Sequence, residues 1–336
     1  MGLCESCEKC YDDSETPKKF EFEVNKQIIK NTTIKNPDFV ETPYEFNQMY
    51  KIGPLIGYGT TSKVYALKQK SNNLKLACKV IDKRRISIDA NHEAILMQLR
   101  SETIILKKLN HPNIVKFYDV IETRTMIFIV MEYIKGEELF DYILNLGSLN
   151  EEKALTIMQG LLSAVNYLHS QGVIHRDIKA ENLLILFDDK ENVQVKMIDF
   201  GFSKILRYDL AGSFLGTGGY IAPEIRQHKQ YSRSVDMWAC GILLYVMLSG
   251  RLPFSTVVNS LPTQLSSEEI FGFSLQFPEE RWSHVSQNAK DLIEALLTID
   301  PIKRITVKEA INHPWVILFN FFIFYSIHFL KFNIIL

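Results

Sequence analysis

Cysteine, net charge and unbroken apolar sequence are all scarce in this chain of 336 residues, and each scarcity removes a class of protein. Five cysteines, three of them among the first ten residues, are too few for a disulfide framework. The amino terminus has no apolar secretory core, so a reducing, cytoplasmic compartment is the expected home. The 38 Lys and Arg nearly cancel the 39 Asp and Glu, and a net charge of −1 supplies no global attraction to nucleic acid. With 46% hydrophobic and 23% charged residues, the chain is not mainly disordered, collagenous or a multi-span membrane protein. There is no internal repeat and no low-complexity tract.

What is present falls into three zones. Residues 1–49 carry ten acidic and six basic side chains, scattered Pro and Thr and no sustained apolar period, which predicts an extended or disordered leader. Residues 50–315 have the pattern of folded protein. Residues 316–336 hold sixteen apolar side chains, six of them Phe, and one charge, Lys331. In the middle zone β-branched or aromatic runs come first, at Tyr50 to Ile56, Lys63 to Leu67, Leu76 to Ile81, Phe117 to Ile121 and Thr125 to Glu132. One helical segment, near Glu93 to Leu109, interrupts them. After Gly136 helical periodicity takes over: Glu151 to His169 lines up Leu155, Met158, Leu162, Val165 and Leu168, and Ser286 to Leu297 lines up Ala289, Ile293 and Leu296. The predicted class is α+β, a small sheet-rich lobe followed by a larger helical one.

The segment Gly57-Tyr58-Gly59-Thr60-Thr61-Ser62-Lys63-Val64 lets backbone approach a phosphate, because glycine has no Cβ and tolerates positive φ. Alone it is equally an ordinary hairpin. A strand rather than a helix follows, so it is no Rossmann fingerprint, and it lacks the Gly-Lys-Ser/Thr of a P-loop. Lys79 lies in the apolar strand Leu76-Ala77-Cys78-Lys79-Val80-Ile81, where a buried ammonium needs an anion; Glu102, on the helical segment near Glu93 to Leu109, can supply one, and an edge-strand lysine turned to solvent is the alternative. Further on come His175-Arg176-Asp177-Ile178-Lys179-Ala180-Glu181-Asn182, then Asp199-Phe200-Gly201, then Ala222-Pro223-Glu224. Two carboxylates, an amide and a lysine at this spacing offer oxygen ligands for Mg²⁺, an acceptor for a hydroxyl proton and a cation for a transferred phosphoryl.

Taken in order, these motifs resemble those of a eukaryotic protein kinase domain over residues 50–315. A closer similarity, to the calcium- and calmodulin-dependent protein kinase group, rests on His111-Pro112-Asn113-Ile114-Val115, Gly136-Glu137-Glu138-Leu139-Phe140, Tyr220-Ile221-Ala222-Pro223-Glu224, Asp236-Met237-Trp238-Ala239-Cys240-Gly241, Asp300-Pro301-Ile302-Lys303-Arg304-Ile305-Thr306 and His313-Pro314-Trp315. The resemblance implies a two-lobed fold, with a small antiparallel-sheet lobe carrying one main helix and a mainly helical second lobe. It implies ATP and Mg²⁺ as ligands and protein Ser/Thr as acceptors. Asp177 would be the catalytic base and Lys179 would steady the γ-phosphate. Lys79, paired with Glu102, would orient the other phosphates, and Asn182 and Asp199 would hold the metal. Ile56, Gly57, Tyr58 and Gly59 would cover the nucleotide, and Val64, Ala77 and Leu184 would sandwich adenine. Met131 would be the gatekeeper, and the backbone from Glu132 to Ile134 the hinge. Glu224 with Arg304, and Asp236, would be structural.

Glu138, near the ribose, and Glu181, in the catalytic loop, match positions where relatives recognise an arginine upstream of the phosphoacceptor. Lys179 and Thr217 favour Ser/Thr over Tyr. Ser213 is the expected activation-segment phosphosite, answered by Arg176 and Lys204. Ser62 in place of a third glycine, Cys78 beside Lys79 and Ala180 in place of proline depart from the pattern without removing a reacting group. The alternative, a membrane-tethered pseudokinase scaffold, is disfavoured by the intact Lys79, Asp177, Asn182 and Asp199.

The start Met1-Gly2-Leu3-Cys4-Glu5-Ser6 fits N-myristoylation at Gly2, with S-acylation at Cys4, Cys7 or Cys10 as the second signal that one chain requires. A location peripheral to a membrane follows from that expectation. The tail, whose longest apolar run is five residues, suits a transmembrane anchor poorly; an amphipathic segment docking on the folded domain is a second reading, and the tail's bias resembles translated AT-rich noncoding sequence, the reading preferred. No D-x-D-x-D-G loop occurs, so neither calcium nor calmodulin dependence is read from these residues.

Overall fold

Five of the strand-like runs pair into one antiparallel sheet, β1 (Tyr50–Tyr58), β2 (Ser62–Gln69), β3 (Lys75–Asp82), β4 (Phe117–Glu122) and β5 (Met126–Glu132), in the order β1-β2-β3-β5-β4. The computed structural model describes residues 42–58, 62–86, 103, 107–188, 192–199, 220–226, 232–258, 261–264 and 275–317. It divides into two units. Glu45–Leu336 contains nearly everything described, and Met1–Tyr44 contributes only Thr42, Pro43 and Tyr44. Of the expected Glu93–Leu109 helix only Thr103 and residues 107–109 are described, and Leu109 lies outside any helix.

The leader, expected to lack structure through residue 49, ends in a helix, α1 (Tyr44–Met49), and a single helical turn, α2 (Lys83–Ile86), follows β3. Phe46 is fully buried, its ring 5.3 Å from Tyr50 and 4.9 Å from Phe128. One aromatic anchor, worth about 1.5–3 kcal/mol, holds a segment too short to display a period.

A second sheet joins β6 (Glu137–Glu138), β7 (Leu183–Phe187) and β8 (Val193–Met197). The His111-to-Val115 motif stitches to it: Val115 N–H donates to the Met197 carbonyl at 2.8 Å, Met197 N–H to Asn113 at 2.9 Å, and Asn113 Nδ2 to the Val195 carbonyl at 2.9 Å. Helix α3 (Leu139–Leu146) follows β6, and α4 (Glu151–Ser170), capped by Asn150, packs on β8. Gly160 makes that approach possible, since a Cβ there would stand 2.5 Å from Val195 Cγ1.

The helical lobe is organised around α6 (Ser234–Ser249), which buries side chains on all faces and ends at Gly250 with φ 69°. The short α5 (Pro223–Arg226) precedes it; a hairpin of β9 (Ser255–Val258) and β10 (Leu261–Gln264), then α7 (Glu279–Trp282), α8 (Gln287–Leu296) and α9 (Val307–Ile311) follow. Thr306 and Glu309 form a capping box on α9. Glu151 joins three elements, accepting from Ser286 N–H, Ser286 Oγ and Trp315 Nε1, each at 2.7 Å. No helix among the described residues is long and apolar enough to cross a membrane.

Arg304 is buried with Glu224, at 2.7 and 3.0 Å. Its other donors reach the carbonyls of Ser234, Thr298 and Ile299, and its guanidinium lies 5.0 Å from the Trp238 ring. Removing one member strands a buried charge. Arg304→Ala is therefore expected to lose about 3–5 kcal/mol in urea unfolding, and Arg304→Met combined with Glu224→Gln to lose less.

Candidate functional site

The loop between α4 and β7 carries the residues His175 to Asn182, and one buried carboxylate shapes it. Asp236, in the first turn of α6, accepts from His175 N–H at 3.0 Å, Arg176 N–H at 2.8 Å and His169 Nε2 at 2.8 Å. Arg176 occupies the left-handed region with φ 68°, a conformation costly for a non-glycine residue. The bonds to Asp236 hold it there. Burial alone would push the Asp236 carboxyl up, but the His169 hydrogen bond, the nearby His175 and the Arg176 N–H outweigh it and hold the group below its ordinary value. Burial pushes the His175 imidazole down.

Beyond this turn, Asn182 Nδ2 donates to the Asp177 carbonyl at 2.7 Å and to Asp177 Oδ2 at 2.9 Å. Lys179 Nζ lies 3.2 Å from the same Oδ2. All three side chains are buried. A short 3₁₀ turn, Ala180–Asn182, then leads into β7. Ile198 N–H donates to the Asn182 carbonyl at 3.0 Å, which sets Asp199 beside the loop. Both Asp199 oxygens accept from Lys79 Nζ at 2.8 Å, so the anion that the strand lysine requires is here Asp199. Glu102, its expected partner, lies outside the described residues, as do Gly2, Cys4, Cys7, Cys10, Gly59, Lys204, Ser213 and Thr217.

The register explains the remaining convergence. Gly57 faces Val64, Val64 faces Lys79, and Ala77 faces Met131. Cross-strand partners and alternate residues share a face, so Val64, Ala77 and Lys79 line one surface. Met131 is buried at the end of β5, Ile134 is half-buried and packs on the core, and Leu184 rises from β7. Ile56 and Tyr58 are exposed on β1, with Gly57 between them. Glu138 is exposed at the end of β6, and Glu181 is half-buried near Tyr220.

One contact has no counterpart in the motifs. Lys196, directly across from Leu184 on β8, places Nζ 2.5 Å from Glu132 Oε2, tying the end of β5 to the second sheet. Lysine three residues before an aspartate carries no such signal in sequence.

Asn182 spends its amide hydrogens on Asp177, which leaves Oδ1 as the atom that could hold a metal; Asp199 already receives cationic charge from Lys79. An amide oxygen, a carboxylate and phosphate oxygens suit Mg²⁺, which keeps few protein ligands. No group of three or more His, Cys, Asp or Glu positioned for a metal occurs among the described residues, so phosphate and water would complete such a site.

A sheet lobe, a helical lobe and a loop that groups Asp177, Lys179 and Asn182 opposite Lys79 and Asp199 define a protein kinase. The description "Protein kinase domain" matches residues 50–316, and the chain belongs to that family. It is 38% identical to myosin light chain kinase A of Dictyostelium discoideum, across 81% of this chain and 89% of that protein. It is 33% identical to calcium/calmodulin-dependent protein kinase type 1 of Macrobrachium nipponense, across 88% and 82%. The crystal structure of Rad53 1-466 in complex with AMP-PNP superposes with a TM-score of 0.65 at 33% identity, over 81% of this chain and 66% of that one. The chain is thus a serine/threonine protein kinase of the calcium/calmodulin-dependent kinase group, with a nucleotide-binding fold.

Because its pKa is depressed, Asp236 contributes stability above the ordinary Asp range near pH ~4, and this is lost as pH falls through the lower folded value. Asp236→Asn is expected to be less stable at pH ~7 and to lose less of its remaining stability below pH ~4, as read from urea midpoints across pH.

Proposed function

We propose that this kinase transfers the γ-phosphoryl group of ATP, with Mg²⁺, to Ser or Thr of protein substrates bearing basic residues upstream of the acceptor. The observation that carries the reading is the shared Asp177 carboxylate, held by Asn182 and Lys179 within one turn that the Ile198 N–H to Asn182 carbonyl bond joins to the segment bearing Asp199, the partner of Lys79. The acceptor oxygen attacks the γ-phosphorus as the bond to the β–γ bridging oxygen breaks, ADP leaves, and the hydroxyl proton passes to Asp177. Lys179, beside that carboxylate, offsets charge on the transferred group. Asn182 and Asp199 would hold Mg²⁺, which would supply further neutralisation of phosphate charge. Lys79 orients the α- and β-phosphates. Val64, Ala77 and Leu184 enclose adenine against the Glu132-to-Ile134 backbone.

Glu138 and Glu181 supply carboxylates for an upstream arginine. Phosphorylation of Ser213, answered by Arg176 and Lys204, orders the activation segment, and acylation at Gly2 and Cys4 brings the kinase to a membrane from the cytoplasm.

Asp199→Ala is expected to reduce Mg²⁺-dependent phosphorylation of an Arg-containing peptide by at least ~10³-fold while the protein stays folded by circular dichroism. Glu181→Gln and Glu138→Gln should each raise KM for that peptide about 10-fold and leave an Ala-substituted peptide unaffected, the loss of one charge-assisted bond. Ser213→Ala should match the phosphatase-treated parent in activity. Gly2→Ala should shift the protein from membrane to soluble fractions, and unchanged partitioning would refute acylation there.

A further inference from the structure

One end of the five-stranded sheet carries a row of positive charge that the kinase reaction does not use. Lys51 on β1 is the register partner of Lys68 on β2, and Lys68 is the register partner of Lys75 on β3. All three are exposed, and none of their side chains has an ion pair or hydrogen bond among the described residues. Like charges directly across a ladder repel. Protection of a sheet edge explains lysine on β1, but β3 is the central strand, with two neighbours on each side. Lys70 adds a fourth charge: among the described residues its ammonium meets the Asn47 carbonyl and no carboxylate.

The same end exposes apolar side chains. Gln69 N–H donates to the Leu74 carbonyl at 2.9 Å and closes the β2–β3 hairpin, whose Asn73 has φ 60°. That turn presents Leu74, 38% exposed. Lys70 N–H donates to the Met49 carbonyl at 2.9 Å, which brings Met49, 42% exposed, against the hairpin. Lysines set around protruding Leu and Met match the chemistry of a bilayer interface, in which cations meet headgroup phosphates and apolar tips enter the acyl boundary. An acidic peptide would answer the lysines and leave Leu74 and Met49 in water.

We propose that Lys51, Lys68, Lys70 and Lys75, with Met49 and Leu74, form a docking surface for an anionic lipid bilayer. The leader, with ten acidic against six basic residues, cannot provide a polybasic membrane signal. This surface provides it from the folded domain, beginning at the residues that follow the leader in sequence. It stands apart from the acylation proposed above, because it acts without a lipid chain.

The test uses the full chain expressed without acyltransferases and sedimented with vesicles of phosphatidylcholine, alone or with about one-third phosphatidylserine. The parent is expected to bind the anionic vesicles and to release them as salt rises. Combined Lys51→Gln, Lys68→Gln and Lys75→Gln should weaken binding about fivefold per lysine, roughly 100-fold together, with peptide phosphorylation in solution and thermal midpoint no lower than the parent's. Leu74→Ser should weaken it several-fold further. Equal binding of the parent to both vesicle types, or of the triple variant and the parent to anionic vesicles, overturns the proposal. Parent binding to a soluble poly-glutamate peptide but not to vesicles overturns it in favour of an acidic protein partner.

Discussion

The Asp236 carboxylate is the constraint on which the site depends. It is fully enclosed at the start of a buried helix, and burying a charge costs several kcal/mol unless donors surround it. The donors it finds are two successive backbone N–H groups of the catalytic loop and an imidazole from the end of α4. Satisfying them fixes the left-handed Arg176, and that turn sends Asp177 back toward Lys179 and Asn182. A strained residue near reacting groups is thus maintained by a group that never touches substrate.

Charge is handled differently at the other buried pair. Arg304 and Glu224 form a two-pronged contact, and the remaining guanidinium hydrogens go to main-chain carbonyls. The pair joins the short α5, next to the activation segment in sequence, to the chain leading into α9. Lys79 and Asp199 differ again: they are partly exposed, and they connect the first sheet to the residue after β8. A partly exposed pair can exchange partners when phosphate or a cation arrives. A fully enclosed one cannot do so cheaply.

Much of this was legible in sequence because it is local. The strands of the first lobe and the helices Glu151–Ser170 and Gln287–Leu296 fall within a few residues of their hydrophobic periods. The loop from His175 to Asn182 is a contiguous segment whose side chains meet one another. The end of the leader is not legible in its sequence pattern because a single buried aromatic, Phe46, decides it. The tie between Glu132 and Lys196 was missed because 64 residues separate them and neither position is distinctive alone.

Sequence by itself determined which groups are available and in what order: a glycine-containing turn, a strand lysine, a loop with carboxylate, cation and amide, and an aspartate after an apolar strand. Those choices reside in short segments whose propensities and spacing act over a few residues. Only the tertiary structure decided which anion meets Lys79, which carboxylate locks the catalytic turn, and that Lys51, Lys68 and Lys75 stand side by side. Register and packing join residues distant along the chain, and the energy of a charge depends on the neighbours that folding brings to it.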